Sequence, residues 1–245
     1  MRALFRVPVR LLRMLAHLAR GLWIIHLRFP TMEQGEREAA VQAWACRMLE
    51  CLGVDLQVRG SVPVSGPVLL VSNHISWLDI LVLHAARHCR FISKADIAHW
   101  PLVGTLATAA GTLYITRESR RDALRVVHQM ADGLRAGEVL AVFPEGTTGD
   151  GSTVLPFHAN LLQAAISANA PVVPIGLRFL NARTGLPSFA PCYIGDDTLV
   201  GSVWRTLCAQ DLVAGVHFGA AQHCAGRDRR EWAQDVRKMV VALRD

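Results

Sequence analysis

Apolar residues recur at two different spacings along the chain, and their alternation predicts the order of its elements. Short apolar runs rich in β-branched residues predict strands at 54–60, 67–73, 90–95, 111–117, 138–144, 171–179 and 212–219. Apolar positions spaced for one helix face predict helices at 33–52, 77–87, 119–136, 158–169, 197–209 and 227–243. Nearly continuous apolar strands that alternate with helices are typical of sheets covered on both faces. We therefore predict the α/β class, with a mixed, largely parallel central sheet covered by helices.

The predicted helix at 119–136 has clear end signals. Ser119 is a suitable N-cap, Asp122 stands at the capping-box position, and Gly137 follows the last periodic residue. These signals predict that Ser119 and Asp122 satisfy each other's backbone amides at the start of the helix.

The first 30 residues combine positive charge with apolar side chains. They contain six arginines and no acidic residue, whereas the rest of the chain carries 20 basic and 20 acidic residues. The apolar residues among them are Leu4, Phe5, Leu11, Leu12, Met14, Leu15, Leu18, Leu22, Trp23, Ile24 and Ile25. An anionic lipid surface selects this combination, while a nucleic-acid-binding arm would be basic but less apolar. We therefore expect membrane lipids, and no nucleic acid, as partners of this segment.

Arginines and histidines interrupt every window of the leader that is long enough to cross a bilayer. This favours an interfacial or half-inserted helix over a transmembrane one. A secretory signal peptide is the alternative, but the segment lacks an uninterrupted apolar stretch followed by a small-residue cleavage site. We predict membrane-associating helices at 1–53 and a catalytic domain at 54–245.

The cysteines and histidines give no indication of a metal site. The six cysteines include no C-x-x-C pair, which argues against both a zinc site and a disulfide framework. Seven histidines likewise show no metal-ligand spacing, namely His84, His88, His99, His128, His158, His217 and His223. We expect no metal ion, and a catalytic domain that faces a reducing compartment.

The segment VSNHISWLD at 71–79 places a histidine and an acid where an apolar strand gives way to a helix. On a continuous helix, residues five apart diverge by about 140°. His74 and Asp79 can therefore meet only if a turn after the strand folds the imidazole back over the first helical turn. Asp79 would then accept a hydrogen bond from one ring nitrogen, while the other takes a proton from a hydroxyl. The alternative is that Ser76 and Asp79 merely cap the helix and His74 is an ordinary loop residue.

A second cluster, FPEGTTGDG at 143–151, also follows an apolar strand. A proline, an acid and several glycines form a turn whose amides and carboxylate point beyond the edge of the sheet. Ligand sites of open α/β sheets usually lie at that edge. The second cluster therefore favours the catalytic interpretation of His74.

Four ordered blocks carry a resemblance to a known family. Asn73, His74 and Asp79 form an N-H-x-x-x-x-D motif, and residues 143–147 read F-P-E-G-T. A third block spans 91–117, with Lys94, Pro101, Gly104, Gly111 and Arg117, and a fourth spans 170–179 around Pro174. The chain resembles the 1-acylglycerol-3-phosphate acyltransferase-like family of glycerolipid acyltransferases over roughly residues 55–220. The resemblance implies the fold of that family and a fatty acyl transfer without a cofactor.

The resemblance also implies a role for each motif residue. His74 would be the general base and Asp79 its orienting partner, and Arg117 and Glu145 would hold the polar head of the acceptor. Lys94 and the amides around Gly146 would stabilise the oxyanion. The predicted substrate-binding set is completed by Asn73, Thr147 and Thr148. The alternatives are a solvated surface lysine at 94, and an ion pair of Arg117 with Glu118 or Asp122.

The implied reaction moves an acyl chain from an acyl carrier protein or coenzyme A thioester to the free hydroxyl of a lysolipid. Family members that use lysophosphatidate commonly have arginine after F-P-E-G-T, whereas this chain has Thr148, as the lyso-ornithine lipid branch does. Because phosphate acceptors are commoner, we place 1-acylglycerol-3-phosphate, giving phosphatidic acid, before lyso-ornithine lipid. A thioester or phosphate-ester hydrolase and a non-enzymatic membrane-binding protein are the alternatives from other classes. The expected location is the cytoplasmic face of a bacterial inner membrane.

Overall fold

The fold is built on a seven-stranded sheet, seen in a computed structural model that describes residues 2–116 and 119–245. The strands are β1 (Val54–Gly60), β2 (Val68–Ser72), β3 (Arg90–Lys94), β4 (Leu113–Ile115), β5 (Val139–Val142), β6 (Val172–Asn181) and β7 (Leu212–Phe218). Their order across the sheet is β1-β7-β6-β2-β5-β3-β4. Every neighbouring pair is parallel except β6 with β7. The predicted α/β class and the mixed, largely parallel sheet are confirmed.

Eight α-helices surround the sheet within the described residues. They are α1 (Arg2–Leu27), α2 (Gln34–Leu52), α3 (Leu78–Ala86), α4 (Val103–Ala109), α5 (Arg120–Arg135), α6 (Leu162–Ala168), α7 (Leu199–Cys208) and α8 (Arg229–Arg244). The sequence pattern did not predict α4. Its seven residues, VGTLATA, are mostly small and span only about two turns, which is too short to show an amphipathic period.

Each face of the sheet has its own apolar core. On the first face, α2, α3 and α7 contribute buried residues such as Leu49, Val82 and Leu207, and α1 packs against this core. On the second face, α5, α6 and α8 contribute Met130, Leu162 and Trp232, among others. Burial on both faces explains why the central strands are apolar without interruption.

The N-terminal helices differ in how deeply they are buried. α2 carries five buried residues, is capped by a box between Glu33 and Glu36, and ends at Gly53, whose φ of 75° suits glycine. α1 packs on α2 but leaves apolar side chains exposed, namely Val9, Leu12, Leu15, Trp23 and Leu27. Among the described residues, no helix has an apolar stretch that would reach across a bilayer. The predicted boundary at 53/54 marks a change from helix to strand, and α2 shares its core with the sheet.

One detail of the predicted cap on α5 is wrong. The Ser119 hydroxyl accepts from the Asp122 amide at 3.1 Å, as expected. Asp122, however, does not reach back to Ser119. Its carboxylate accepts from the Thr116 amide and from Arg125, while the Ser119 amide donates to the Thr116 carbonyl. The Thr116 carbonyl therefore takes the place of the Asp122 carboxylate as the acceptor of the Ser119 amide.

Candidate active site

The site lies where two neighbouring parallel strands end at the same edge of the sheet. β2 and β5 pair in register, with Val71 opposite Val142. The segment that begins at Asn73 and the one that begins at Phe143 therefore leave the sheet side by side. This brings the two motifs found in the sequence into one place.

The predicted pair of His74 and Asp79 is formed. β2 ends at Ser72 and α3 begins at Leu78, so the intervening residues make the required turn. The His74 Nδ1 and Asp79 Oδ2 atoms are 2.8 Å apart. The same oxygen accepts from the Ile75 and Ser76 amides at 2.6 and 2.9 Å. One buried carboxylate therefore both caps the turn and holds the imidazole, so the geometry that each interpretation requires is present.

This geometry fixes which ring nitrogen of His74 is basic. A carboxylate only accepts, so Nδ1 carries the proton and Nε2 offers its lone pair. Among the described residues, none is hydrogen-bonded to Nε2, and the side chain retains 19% of its surface exposure. The ring stacks on Phe143 with centroids 4.0 Å apart and planes within 9°. His74 is thus held in one orientation with its basic edge accessible.

Glu145 joins the two segments through their backbones. Its Oε1 accepts from the His74 amide at 2.7 Å, and its Oε2 accepts from the Leu155 amide at 2.6 Å. Burial raises the pKa of this carboxyl, and the two amide donors oppose that rise. Both oxygens accept from backbone amides, so Glu145 positions the two segments, and its predicted contact with the acceptor head stays a prediction.

Asn73 and Thr148 are also engaged inside the protein. The Asn73 side chain donates to the Leu177 carbonyl at 2.9 Å and accepts from the Leu177 amide at 2.8 Å, and the residue is 2% exposed. The Thr148 hydroxyl donates to the Tyr193 carbonyl. Each side chain therefore supports the local structure, and the prediction that they bind substrate stays a prediction.

The turn at Gly146 is closed tightly. The Gly146 amide donates to the Phe143 carbonyl at 3.1 Å, and the residue adopts a φ of 73°. A Cβ at this position would lie 3.0 Å from the His158 ring. The Gly146 amide is therefore engaged within the turn, whereas the next residue, Thr147, is exposed at its tip, and the oxyanion role of the amides around Gly146 stays a prediction.

His158 is a neighbour of the site that the motifs did not reveal. Its amide donates to the Pro144 carbonyl at 2.8 Å, which places its exposed ring against Gly146. The only signal in the sequence was its position a short loop after F-P-E-G-T.

Of the two cations predicted to serve the site, Lys94 and Arg117, the structure describes only Lys94. Lys94 ends β3, which pairs with β5, so it lies at the same edge of the sheet as His74. Its ammonium is 2.6 Å from the Asp96 carboxylate, and its side chain is 46% exposed. Arg117 and its possible partner Glu118 lie outside the described residues, so the predicted role of Arg117 stays a prediction.

The arrangement is suited to removing a proton from a bound hydroxyl. No serine or cysteine among the described residues is hydrogen-bonded to His74. The nearest serine in sequence, Ser76, is fully buried and donates its hydroxyl to the Pro191 carbonyl. Within residues 2–116 and 119–245, no three His, Cys, Asp or Glu side chains are grouped as for a metal ion. The base is therefore set to act on a substrate hydroxyl or on water.

Comparisons with known proteins identify the family of this chain. The model of the Acyltransferase family matches residues 54–178. A lyso-ornithine lipid O-acyltransferase of Pseudomonas aeruginosa is 33% identical, over 97% of this chain and 93% of its own. A 1-acyl-sn-glycerol-3-phosphate acyltransferase of Neisseria gonorrhoeae is 34% identical, over 81% and 78%. The crystal structure of the 1-acyl-sn-glycerophosphate acyltransferase of Thermotoga maritima shares the fold, with a TM-score of 0.63, 19% identity and coverage of 95% and 96%. The resemblance stated from the motifs is confirmed, and the chain belongs to the Acyltransferase family and is an acyltransferase.

Proposed function

We propose that this enzyme transfers a fatty acyl chain from a thioester to the free hydroxyl of a lysolipid. The observation that carries the proposal is the accessible Nε2 of a histidine whose Nδ1 is held by a buried carboxylate. Nε2 takes the hydroxyl proton while the oxygen attacks the thioester carbonyl. The tetrahedral intermediate then expels the thiolate, which takes the proton from the imidazolium as the new ester forms.

The transfer proceeds directly between the two substrates, without an acyl-enzyme. A covalent route requires a nucleophile within hydrogen-bond reach of the base. In the described part of the chain the only side chain hydrogen-bonded to His74 is Asp79. The acceptor hydroxyl therefore supplies the nucleophile.

Lyso-ornithine lipid is the acceptor that the combined observations favour, which reverses the order given by the motifs. The Pseudomonas relative named for that acceptor aligns with nearly the whole chain. Thr148 stands where an arginine would bind a phosphomonoester, and its hydroxyl is engaged with the Tyr193 carbonyl. Lysophosphatidate is the second candidate, supported by the Neisseria relative and by the cation Lys94 at the same edge.

The decisive experiment offers the purified enzyme a labelled acyl thioester and one lysolipid at a time. Lyso-ornithine lipid and lysophosphatidate are compared with both acyl carrier protein and coenzyme A donors, and products are identified by mass spectrometry. We expect diacylated ornithine lipid, and none with His74→Gln. Acylation of lysophosphatidate alone would overturn the choice of acceptor. Release of free fatty acid without any acceptor would overturn the transferase and establish a hydrolase.

We also propose that α1 attaches the enzyme to the cytoplasmic surface of the membrane. The first 30 residues carry six arginines and no acid, and α1 exposes an apolar stripe that includes Leu12 and Trp23. Arginines pair with anionic headgroups while apolar side chains enter the acyl boundary. Both acyl carrier protein and coenzyme A thioesters are cytoplasmic substrates, so this surface brings donor and acceptor together.

A further inference from the structure

A second group of exposed apolar residues lies beside the catalytic turn, apart from α1. It consists of Phe189 and Ile194, in the loop after β6, and Val200 and Trp204, one turn apart on α7. Their exposures are 58%, 42%, 79% and 53%. We call these four residues the rim patch. Scattered single apolar residues on a surface are ordinary, but a cluster next to a site for a lipid substrate calls for a partner.

The rim patch is anchored to the turn that carries His74. The Trp77 indole donates to the Ser202 hydroxyl at 3.0 Å, and Ser202 in turn donates to the Cys192 carbonyl at 3.2 Å. The Ser76 hydroxyl donates to the Pro191 carbonyl. The loop and α7 are therefore joined by hydrogen bonds to the two residues that follow Ile75. A partner that covers the rim patch would therefore lie next to the turn that carries His74.

The rim patch also adjoins the basic, apolar helix α1. The Arg10 guanidinium donates to the Leu207 and Ala209 carbonyls, at 2.9 and 2.6 Å, at the end of α7. Val9, the residue before Arg10, is exposed, as is Trp204 one turn before the end of α7. The two apolar surfaces therefore lie on helices that contact each other, α1 and α7.

The cations of the loop and helix that carry the rim patch are already paired. Arg205 and Asp197 form an ion pair with a separation of 2.9 Å, and Arg205 also donates to the Cys192 carbonyl. An acidic carrier protein would be recognised by unpaired cations, whereas the two arginines within residues 182–208, Arg183 and Arg205, are both ion-paired. A neutral apolar surface that includes a tryptophan is instead typical of the boundary between lipid headgroups and acyl chains.

We propose that the rim patch is a second membrane contact, which inserts Phe189, Ile194, Val200 and Trp204 into the lipid surface beside the catalytic turn. With α1 it gives the enzyme two points of attachment, and two points fix the orientation of the site on the bilayer. The acceptor hydroxyl then reaches His74 without its acyl chain leaving the membrane.

The first test measures binding without activity. The double variant Val200→Ser/Trp204→Ser is floated with vesicles of phosphatidylethanolamine and phosphatidylglycerol. The control is Leu124→Ser, because Leu124 is 62% exposed on α5, at the opposite face of the sheet. We expect the vesicle-bound fraction of the double variant to fall at least threefold and that of the control to stay unchanged. Equal binding of both variants would overturn the proposal. The result does not depend on which lysolipid is acylated.

The second test leaves the apolar surface almost intact. The quenching of tryptophan fluorescence by brominated phospholipid is compared between the unmodified protein and Trp204→Phe, so that the difference reports Trp204 alone. We expect strong quenching of Trp204, and its absence would overturn the proposal. Two other results would also overturn it. One is a dimer in light scattering that dissociates in the double variant, and the other is a raised KM for acyl carrier protein with unchanged vesicle binding.

Discussion

Two histidines, His74 and His84, are joined by a column of two phenylalanine rings, Phe143 and Phe91, and have opposite chemical environments. His74 stacks on Phe143, Phe143 stacks on Phe91 with centroids 5.6 Å apart, and Phe91 meets the edge of His84 at 5.0 Å. His74 has a carboxylate at 2.8 Å and an accessible ring edge. His84 is buried, and its Nδ1 has no hydrogen-bond partner among the described residues.

The comparison shows how differently the two environments treat a positively charged imidazole ring. Burial without an acceptor lowers the pKa of His84 to about 3, because the interior does not solvate an imidazolium. The nearby His88 adds a smaller effect in the same direction. At His74 the Asp79 carboxylate compensates the positive charge that forms during the reaction. The aromatic column is shared, so the carboxylate and the exposure of the ring make the difference.

The largest expected effect is a loss of turnover on replacing His74 but not on replacing His84. His74→Gln removes the proton acceptor, and we expect turnover to fall by about 10³-fold. His84→Gln, the matched change at the other end of the column, is expected to leave turnover within about threefold, since His84 contacts no substrate-facing group. Steady-state kinetics of both variants measure this. Similar losses in the two would contradict the assignment of His74 as the base.

Asp79→Asn sharpens the comparison by leaving the shape of the site almost unchanged. An amide oxygen at the Oδ2 position can still accept from the turn, but the negative charge that stabilises the imidazolium is lost. We expect kcat to fall by about 10²-fold, with KM little changed. Thermal unfolding provides the control. A large drop in the melting temperature would show that the loss of activity came from a collapsed turn.

His84 is expected to make stability sensitive to acid. Its pKa is about 3 in the folded protein, against an ordinary value of 6.5 for a solvated histidine. Below pH 6.5 the unfolded chain therefore binds a proton that the folded chain does not. The folded state loses stability as the pH falls from 6.5 towards 3. Between pH 7 and pH 5 this single group costs about 2 kcal/mol.

Urea unfolding at pH 7 and pH 5 measures this loss in the unmodified protein and in His84→Gln. Glutamine does not titrate, so the loss on acidification is expected to be about 2 kcal/mol smaller in the variant. The same change at His158, whose ring is exposed, is the control and should leave the loss unaltered. An equal loss in all three proteins would show that His84 is solvated.

The smallest expected effect concerns the ring between the two histidines. Phe143→Leu keeps an apolar side chain but removes the stacking on His74, which contributes about 1 kcal/mol. We expect kcat to fall by about fivefold or less, because the Asp79 hydrogen bond still orients the imidazole. Kinetics under the conditions used for His74→Gln measure it. A loss as large as that of Asp79→Asn would mean that the aromatic ring, and not the carboxylate, orients the base.

The sequence predicted the sheet well because its strands are buried on both faces. Runs such as 138–144 are apolar without interruption and are bounded by turn residues, so their existence depends little on tertiary context. The helix α4 was missed because seven small residues show no period. The order of the strands was not predicted, since pairing between distant segments leaves no local pattern.

In the site, as in the sheet, local features could be predicted from the sequence and contacts between distant segments could not. The pair of His74 and Asp79 follows from local turn geometry and was predicted. The supporting roles of Asn73 and Glu145 were not, because their partners, Leu177 and the amides of His74 and Leu155, are remote in sequence. A motif shows that a residue matters, but whether its atoms face the substrate or the backbone depends on contacts that only the fold creates.

The hydrogen bonds of Asn73 have a consequence for the alignment of the base. Its side-chain amide pairs with the backbone of Leu177 as a backbone amide would. These bonds continue the hydrogen bonding between β2 and β6 beyond Ser72, where β2 ends. The position of His74 is therefore tied to the register of β6. A substitution that shifts β6 along its axis would move the base without altering any residue that touches it, and would weaken catalysis from the neighbouring strand.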